Sequence, residues 1–295
     1  MTTTQWTYVS WQRHANRLLR AQPNLDGAES HSTARLLLDH VAGLNYAHLL
    51  RPDEPLGEES LSSLEAALAL ALSGAPLPYI VGTAHFYGRV FRCDARALIP
   101  RPETELLIEA VLGRLAGNGH ARPLKIADLG TGSGCIAVTL ALELSNSQIF
   151  ATDVEAGPRE LAATNAQALG ARITILAGSH DSWTAPLAGF GPFDVIVTNP
   201  PYIPRAEVLT LETRVRDFEP RAALDGGNDG LAPYRVLARD SGPYLAQEGF
   251  LATELGAGQF EDVANLFGQN GWRVEPPLLD LQGHARVLVA RFCFT

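Results

Sequence analysis

Two short stretches of this 295-residue sequence combine residue types that can do chemistry. The first is Asn199-Pro200-Pro201-Tyr202, which leaves the apolar run Phe193 to Thr198. Consecutive prolines stiffen the backbone and remove two N–H donors. The side-chain oxygen of Asn199 and the carbonyl of Pro200 remain, both acceptors on a rigid loop, and together they can accept hydrogen bonds from an –NH₂ group. Tyr202 can offer a flat face to a planar group. The set suits a planar nitrogen nucleophile, either an amide or the exocyclic amine of a base. An amide nitrogen is a weak nucleophile because its lone pair is delocalised. Positioning and preorganised dipoles would therefore supply most of the rate of any transfer onto it.

The second stretch is Asp128-Leu129-Gly130-Thr131-Gly132-Ser133-Gly134, between a predicted strand and a predicted helix. Glycines let the backbone turn tightly and approach a ligand without a Cβ in the way, and the end of a strand is where α/β sheets bind ligands. A dinucleotide-binding G-x-G-x-x-G would need its last glycine where Cys135 stands, which weakens a dehydrogenase reading. Asp153, at the end of the next predicted strand, can take both hydroxyls of a ribose, a need shared by NAD and S-adenosylmethionine. Asp128 helps to separate them, because a carboxylate there would repel a pyrophosphate but suits the ammonium of a methionine moiety. Methyl transfer from a sulfonium would require nitrogen, methyl carbon and sulfur roughly in line.

The elements that must position these residues fall into two patterns. Residues 1 to about 75 predict short helices: Trp6 to Arg20, a second through Ala34 to Val41 that Gly43 stops, and a third from Glu58 to Leu72. The breaker Ala75-Pro76-Leu77-Pro78 precedes a stretch rich in β-formers, Tyr79 to Ile99, which predicts a hairpin linker. From residue 102 strands alternate with helices, which predicts a doubly wound, mostly parallel sheet with an antiparallel end. The expected organisation is a helical domain (1–75), a β-hairpin linker (76–101) and a catalytic α/β domain (102–295).

Taken together, the glycine turn and Asn199-Pro-Pro-Tyr202 resemble the cofactor and catalytic motifs of class I S-adenosylmethionine-dependent amino-methyltransferases, with a Rossmann-like, seven-stranded sheet. Leu98-Ile99-Pro100-Arg101-Pro102-Glu103-Thr104-Glu105 narrows the resemblance to the HemK/PrmC release-factor glutamine methyltransferases. Pro78 to Gly82, Phe218-Glu219-Pro220 with Ala223-Leu224, and Gly227 to Leu231 are also similar to segments of that family. The resemblance implies that S-adenosyl-L-methionine is the cofactor and S-adenosyl-L-homocysteine the product. It implies that Gly130, Thr131, Gly132, Ser133, Gly134 and Asp153 bind the cofactor, with Asp181 and Trp183 against its adenine. Asn199, Pro200, Pro201 and Tyr202 would grip the glutamine, Asn199 touching the cofactor side as well. The partner implied is a class I peptide chain release factor, whose Gly-Gly-Gln glutamine is methylated at N5 while the helical domain helps to hold the factor. Arg101 and Glu103 are expected to shape the pocket mouth.

Composition narrows the alternatives. With 23 basic and 32 acidic residues the formal charge is −9, the wrong sign for gripping a nucleic-acid backbone. Direct DNA binding, and with it adenine-N6 methylation, is therefore disfavoured, while glutamine methylation of a ribosomal protein stays as an alternative. Arg214, Arg216 and Arg221 could face an acidic partner but are expected to form surface ion pairs. Asp225 to Gly230 is expected to be a mobile or solvated loop. The eight histidines show no ligand spacing, and the three cysteines (Cys93, Cys135, Cys293) read as free thiols. No metal is expected. The residues after Met1 lack a basic region followed by an apolar run, and no apolar stretch is long enough to span a bilayer. A cytoplasmic monomer without membrane contact is the expectation.

Overall fold

A computed structural model describes residues 5–22, 27–116, 122–179 and 182–294. It divides into two units, one of residues 1–82 with 213–218 and one of residues 83–212 with 219–295.

The first unit is helical: α1 (Tyr8–Arg20), α2 (Gly27–Ala42), α3 (Ala47–Leu50), α4 (Glu58–Leu72) and α5 (Leu77–Val81). Thr7 caps α1 in a reciprocal box with Ser10, satisfying donors that a helix start leaves open. Trp11, Ala15 and Leu19 form its inner stripe and meet Leu37, Leu38, Leu64 and Leu68, all buried. Asp39 accepts from the Ala47 amide at 3.0 Å and pairs with Arg35 at 2.9 Å, which fixes the entry to α3. Tyr79-Ile80-Val81, expected to be extended, are helical. Pro76 and Pro78 suit a first helical turn, Gly82 ends the helix at φ +72°, and Ile80 and Val81 pack on the helical core. Within this unit Arg214 pairs with Glu29 at 2.5 Å.

In the second unit β1 (Thr83–Phe86) and β2 (Arg89–Arg92) form the hairpin. Tyr87 and Gly88 turn it with φ of +48° and +71°, the two positive values that a type I′ turn requires. The expected strand character of Leu98 and Ile99 is absent. A helical turn at Pro102–Thr104 leads into α6 (Glu105–Leu115). Then come β3 (Leu124–Leu129), α7 (Cys135–Glu143), β4 (Ser147–Asp153), α8 (Ala156–Leu169), β5 (Ile173–Ala177) and β6 (Phe193–Thr198). They are followed by α9 (Ala232–Asp240), β7 (Leu245–Glu254), α10 (Phe260–Gln269), β8 (Trp272–Val274), β9 (Leu278–Leu279) and β10 (Ala285–Phe292). The Gly242-Pro243 pair ends α9 in a tight turn and frees Leu245 to start a ten-residue strand.

The sheet runs β5-β4-β3-β6-β7-β10-β8, with short β9 added on β10. Pairing is parallel from β5 to β7 and antiparallel around β10. The expected seven strands with an antiparallel end are there, and β9 is an eighth. Alternate residues face opposite layers. Ile126, Val195 and Val197 pack with α6 and α7, whereas Ala127, Leu129 and Ile196 pack with α9 and α10. From β3 the chain moves outward through β4 and β5, then returns to β6 on the other side of β3. That reversal opens a crevice above the carboxyl ends of β3 and β6. Among the described residues no helix is long and apolar enough to cross a membrane.

Candidate active site

The glycine turn leaves β3 and crosses the crevice. Gly130, Gly132 and Gly134 have φ of +71°, +55° and +81°, backbone that L side chains rarely adopt. The turn is pinned by the Thr131 amide donating to the Thr152 carbonyl at 2.8 Å and the Gly132 amide donating to Asp153 Oδ2 at 3.0 Å. A Cβ on Gly134 would lie 3.0 Å from Ala162, so this glycine allows α7 to start tight against α8. Behind the turn Asn165 donates to the Ser133 and Arg92 carbonyls and accepts from the Arg92 amide, joining turn, hairpin and α8.

A cavity of about 1070 Å³, open solvent included, lies over this turn. Of the residues expected from sequence, Gly130, Thr131, Gly132, Ser133, Asp153, Trp183, Asn199 and Pro201 line it. Gly134, Pro200 and Tyr202 are not on its wall, and Asp181 lies outside the described residues. Asp153 sits at the end of β4, accepting from Gly132 and, at 3.1 Å, from the Glu155 amide. Each carboxylate oxygen keeps a further lone pair. Burial pushes its pKa up while the two amides hold it down. The wall also includes Leu98 to Arg101, Thr104, Glu155 and Ser179. Arg101 is anchored by Glu219, which also accepts from the Ile99 amide at 3.2 Å. Cys135 lines the cavity as well, but burial pushes its thiol up to about 12, too high for a nucleophilic thiolate.

Asp128 departs from its expected place. It is fully buried rather than on the cavity wall, and the Thr131 hydroxyl donates to its Oδ2 at 2.6 Å. Thr131 thus stands between this carboxyl and the cavity. Burial raises the Asp128 pKa from 3.8 to about 7, so the folded chain holds a proton that the unfolded chain releases. This contribution to stability is fully present below about pH 4, falls as pH rises and levels off above about pH 7. Asp128→Asn is expected to flatten that slope by about 2 to 3 kcal/mol between roughly pH 5 and pH 8. Urea denaturation of the ligand-free protein at the two pH values measures it. An unchanged slope would contradict the assignment.

The second motif closes the crevice from the β6 side. Asn199 donates through Nδ2 to the Thr104 hydroxyl at 3.1 Å, and Thr104 donates to Glu254 Oε2 at 2.6 Å. Tyr202 donates its hydroxyl to Glu254 Oε1 at 3.2 Å, and its carbonyl accepts from Gln259 at 2.9 Å. Burial is the main cause that raises the pKa of both Tyr202 and Glu254. The chain after Tyr202 is hydrogen-bonded to residues 224–227: Ile203 to Leu224, Gly226 to Ile203 and Arg205 to Gly227. A Cβ on Gly230 would come within 2.3 Å of the Tyr202 carbonyl, and one on Gly226 within 2.8 Å of the Pro201 carbonyl. The 225–230 segment, expected to be mobile or solvated, is a buttress laid against the motif. Arg216 pairs with Asp217 and Arg221 with Asp225, ion pairs of the kind the sequence suggested.

Sequence reading missed Thr104 and Glu254 as members of this constellation. Glu254 carried a signal: it is a carboxylate at the end of Phe250-Leu251-Ala252-Thr253, a run that must be buried, and carboxylates are seldom buried without a partner. Thr104 carried none beyond its place in the Leu98–Glu105 stretch.

A glycine turn after a central strand, a carboxylate ending the next strand and an Asn-Pro-Pro-Tyr loop across a switch-point crevice define a class I methyltransferase. The catalytic domain of hMettl16 in complex with MAT2A 3'UTR hairpin 6 shares this fold, with a TM-score of 0.54 at 16% identity over 80% of this chain and 83% of that one. Residues 103–215 match the methyltransferase small domain and residues 10–82 the PrmC N-terminal domain. Release factor glutamine methyltransferases of Rhodospirillum rubrum and Chlorobaculum tepidum are each 43% identical to this chain, over 88% and 82% of it and 78% and 84% of their own lengths. The chain belongs to the release factor glutamine methyltransferase family.

Proposed function

We propose that this protein methylates the side-chain amide nitrogen (N5) of the glutamine in the Gly-Gly-Gln motif of class I peptide chain release factors, using S-adenosyl-L-methionine, as a cytoplasmic monomer. The observation that carries the reading is the orientation of Asn199: its Nδ2 is engaged by Thr104, and no group among the described residues donates to its Oδ1. Asn199 Oδ1, on the cavity wall, then presents an acceptor to one proton of a primary amide, and the Pro200 carbonyl, whose residue is off that wall, is assigned as acceptor for the other. The donor set fits the cofactor, since Asp153 supplies acceptors for a ribose diol and Gly130 and Gly132 supply wall backbone with no Cβ of their own. Trp183, on the cavity wall with its ring 3.5 Å from where a Gly130 Cβ would stand, is assigned to the adenine, as is Asp181. When bound, the cofactor supplies an electrophilic methyl group on a sulfonium.

Binding both amide protons orients the nitrogen lone pair toward the methyl carbon and stabilises the positive charge that develops on nitrogen. The proton then leaves through one of these acceptors to solvent, since Glu254 is already committed to Thr104 and Tyr202. The domain expected over residues 1–75 is assigned to holding the body of the factor, and residues 10–82 carry the match to the PrmC N-terminal domain. Incubation with methyl-labelled S-adenosylmethionine and purified release factor, followed by peptide mass mapping, tests the reading. One added methyl on the Gly-Gly-Gln glutamine is expected. Transfer to a ribosomal protein or to DNA instead would retain the chemistry and overturn the substrate.

A further inference from the structure

An asparagine amide has nearly the same shape after a half-turn about its terminal bond, so sterics alone do not decide which end meets the acceptor substrate. The wrong end would set two N–H donors against the two N–H donors of a primary amide. Asn199 therefore needs something that tells its oxygen from its nitrogen, and Pro200 and Pro201, which have no N–H, cannot do so.

We propose that Glu254, acting through the Thr104 hydroxyl, is a positioning residue that locks the Asn199 amide with its oxygen free for the acceptor nitrogen. Both Glu254 oxygens are acceptors in this arrangement, Oε2 from Thr104 and Oε1 from Tyr202. Thr104 has one proton, and it goes to Glu254 Oε2 at 2.6 Å. The Thr104 oxygen can then only accept, so Asn199 must present its NH₂ there, as it does at 3.1 Å. Flipping the amide would bring two acceptors together or take the proton from Glu254, which is 1% exposed and has no solvent to replace it. The acid is itself held from three sides. Tyr202 donates to its other oxygen at 3.2 Å, Tyr234 donates to its backbone carbonyl at 2.9 Å, and its strand pairs with β6 and β10. Polarity thus runs in one direction from the end of β7 through Thr104 to Asn199, three residues that no local stretch of sequence brings together.

The proposal rests on the amide-acceptor reading above, but its test separates the two. Thr104→Val removes the hydroxyl at nearly constant volume, Glu254→Met removes the acceptor that directs its proton, and Thr104→Ser keeps the hydroxyl. Both disruptive variants are expected to lower kcat by about 100-fold with KM for the factor little changed, whereas Thr104→Ser stays near wild type. Cofactor Kd, measured by calorimetry, should stay close to wild type in all three. In protein labelled with ¹⁵N-asparagine, the Asn199 side-chain NH₂ signals, assigned by their loss in Asn199→Ala, should resist exchange with water. That protection should survive in Thr104→Ser and vanish in Thr104→Val and Glu254→Met. Undiminished protection or turnover in Thr104→Val or Glu254→Met, or equal damage by Thr104→Ser, would overturn the proposal. Wild-type protein that leaves the release factor unmethylated would overturn the substrate reading alone, because the exchange measurement needs no acceptor.

Discussion

Asn199→Ala is expected to lower methyl transfer by about 100- to 1,000-fold, the loss typical when one preorganised group that binds developing charge is removed. Two features of the site make the effect large. The loop has one side-chain acceptor, and the following prolines cannot rearrange to offer another. Truncation also leaves the Thr104 hydroxyl without its second partner inside a constellation of buried groups, so a stray water rather than an ordered acceptor would fill the gap. Cofactor affinity should stay within a few-fold, because the ribose and methionine ends are assigned to Asp153 and the glycine turn. Single-turnover transfer with calorimetry on the same preparations checks both halves. A large loss of cofactor binding would refute the division of roles and move Asn199 to the cofactor side.

Asp153→Ala is expected to show the converse, cofactor affinity weakened by about 10- to 100-fold, the scale of hydrogen bonds to a charged group. At saturating cofactor, turnover should recover much of its wild-type value. The alanine removes the acceptors assigned to a ribose diol, and it also releases the amides of Gly132 and Glu155, which donate to this carboxylate at 3.0 and 3.1 Å. The turn then loses one of the bonds that hold its glycines at positive φ. The burial that raises this carboxyl's pKa adds a direction: as pH falls through the folded pKa the acid is protonated, and affinity should decline toward acid in wild type but not in Asp153→Ala. Titration calorimetry with S-adenosyl-L-homocysteine across that range measures both effects. Unchanged affinity in the variant would count against the ribose assignment.

Both predictions concern residues that were legible from the sequence, for a common reason. The glycine turn and Asn199-Pro-Pro-Tyr202 are local devices. Positive φ favours glycine, a backbone without donors demands proline, and each motif follows an apolar run that can only be a buried strand. The alternation of strands and helices after residue 102 was legible for the same reason, since periodicity is set by which face of each element is buried. Legibility failed where burial was decided by distant partners. Tyr79-Ile80-Val81 have the composition of a strand but lie in a helix, because the helical core takes Ile80 and Val81. Asp128 has the composition of a ligand-facing carboxylate but is enclosed by the folded turn. The loop at 225–230 has the composition of a solvated turn, and only its packing on Pro201 and Tyr202 explains Gly226 and Gly230.

By itself, then, the sequence determined the two motifs, the strands that end in them, the doubly wound sheet and the family. The tertiary structure alone decided which groups surround those motifs: Thr104 and Glu254, 150 residues apart, meet at Asn199, and Asp128 sits under the turn. Backbone conformation and amphipathic period are properties of neighbours along the chain. The direction of a hydrogen bond and the protonation of a buried acid depend on whatever the fold has packed beside them.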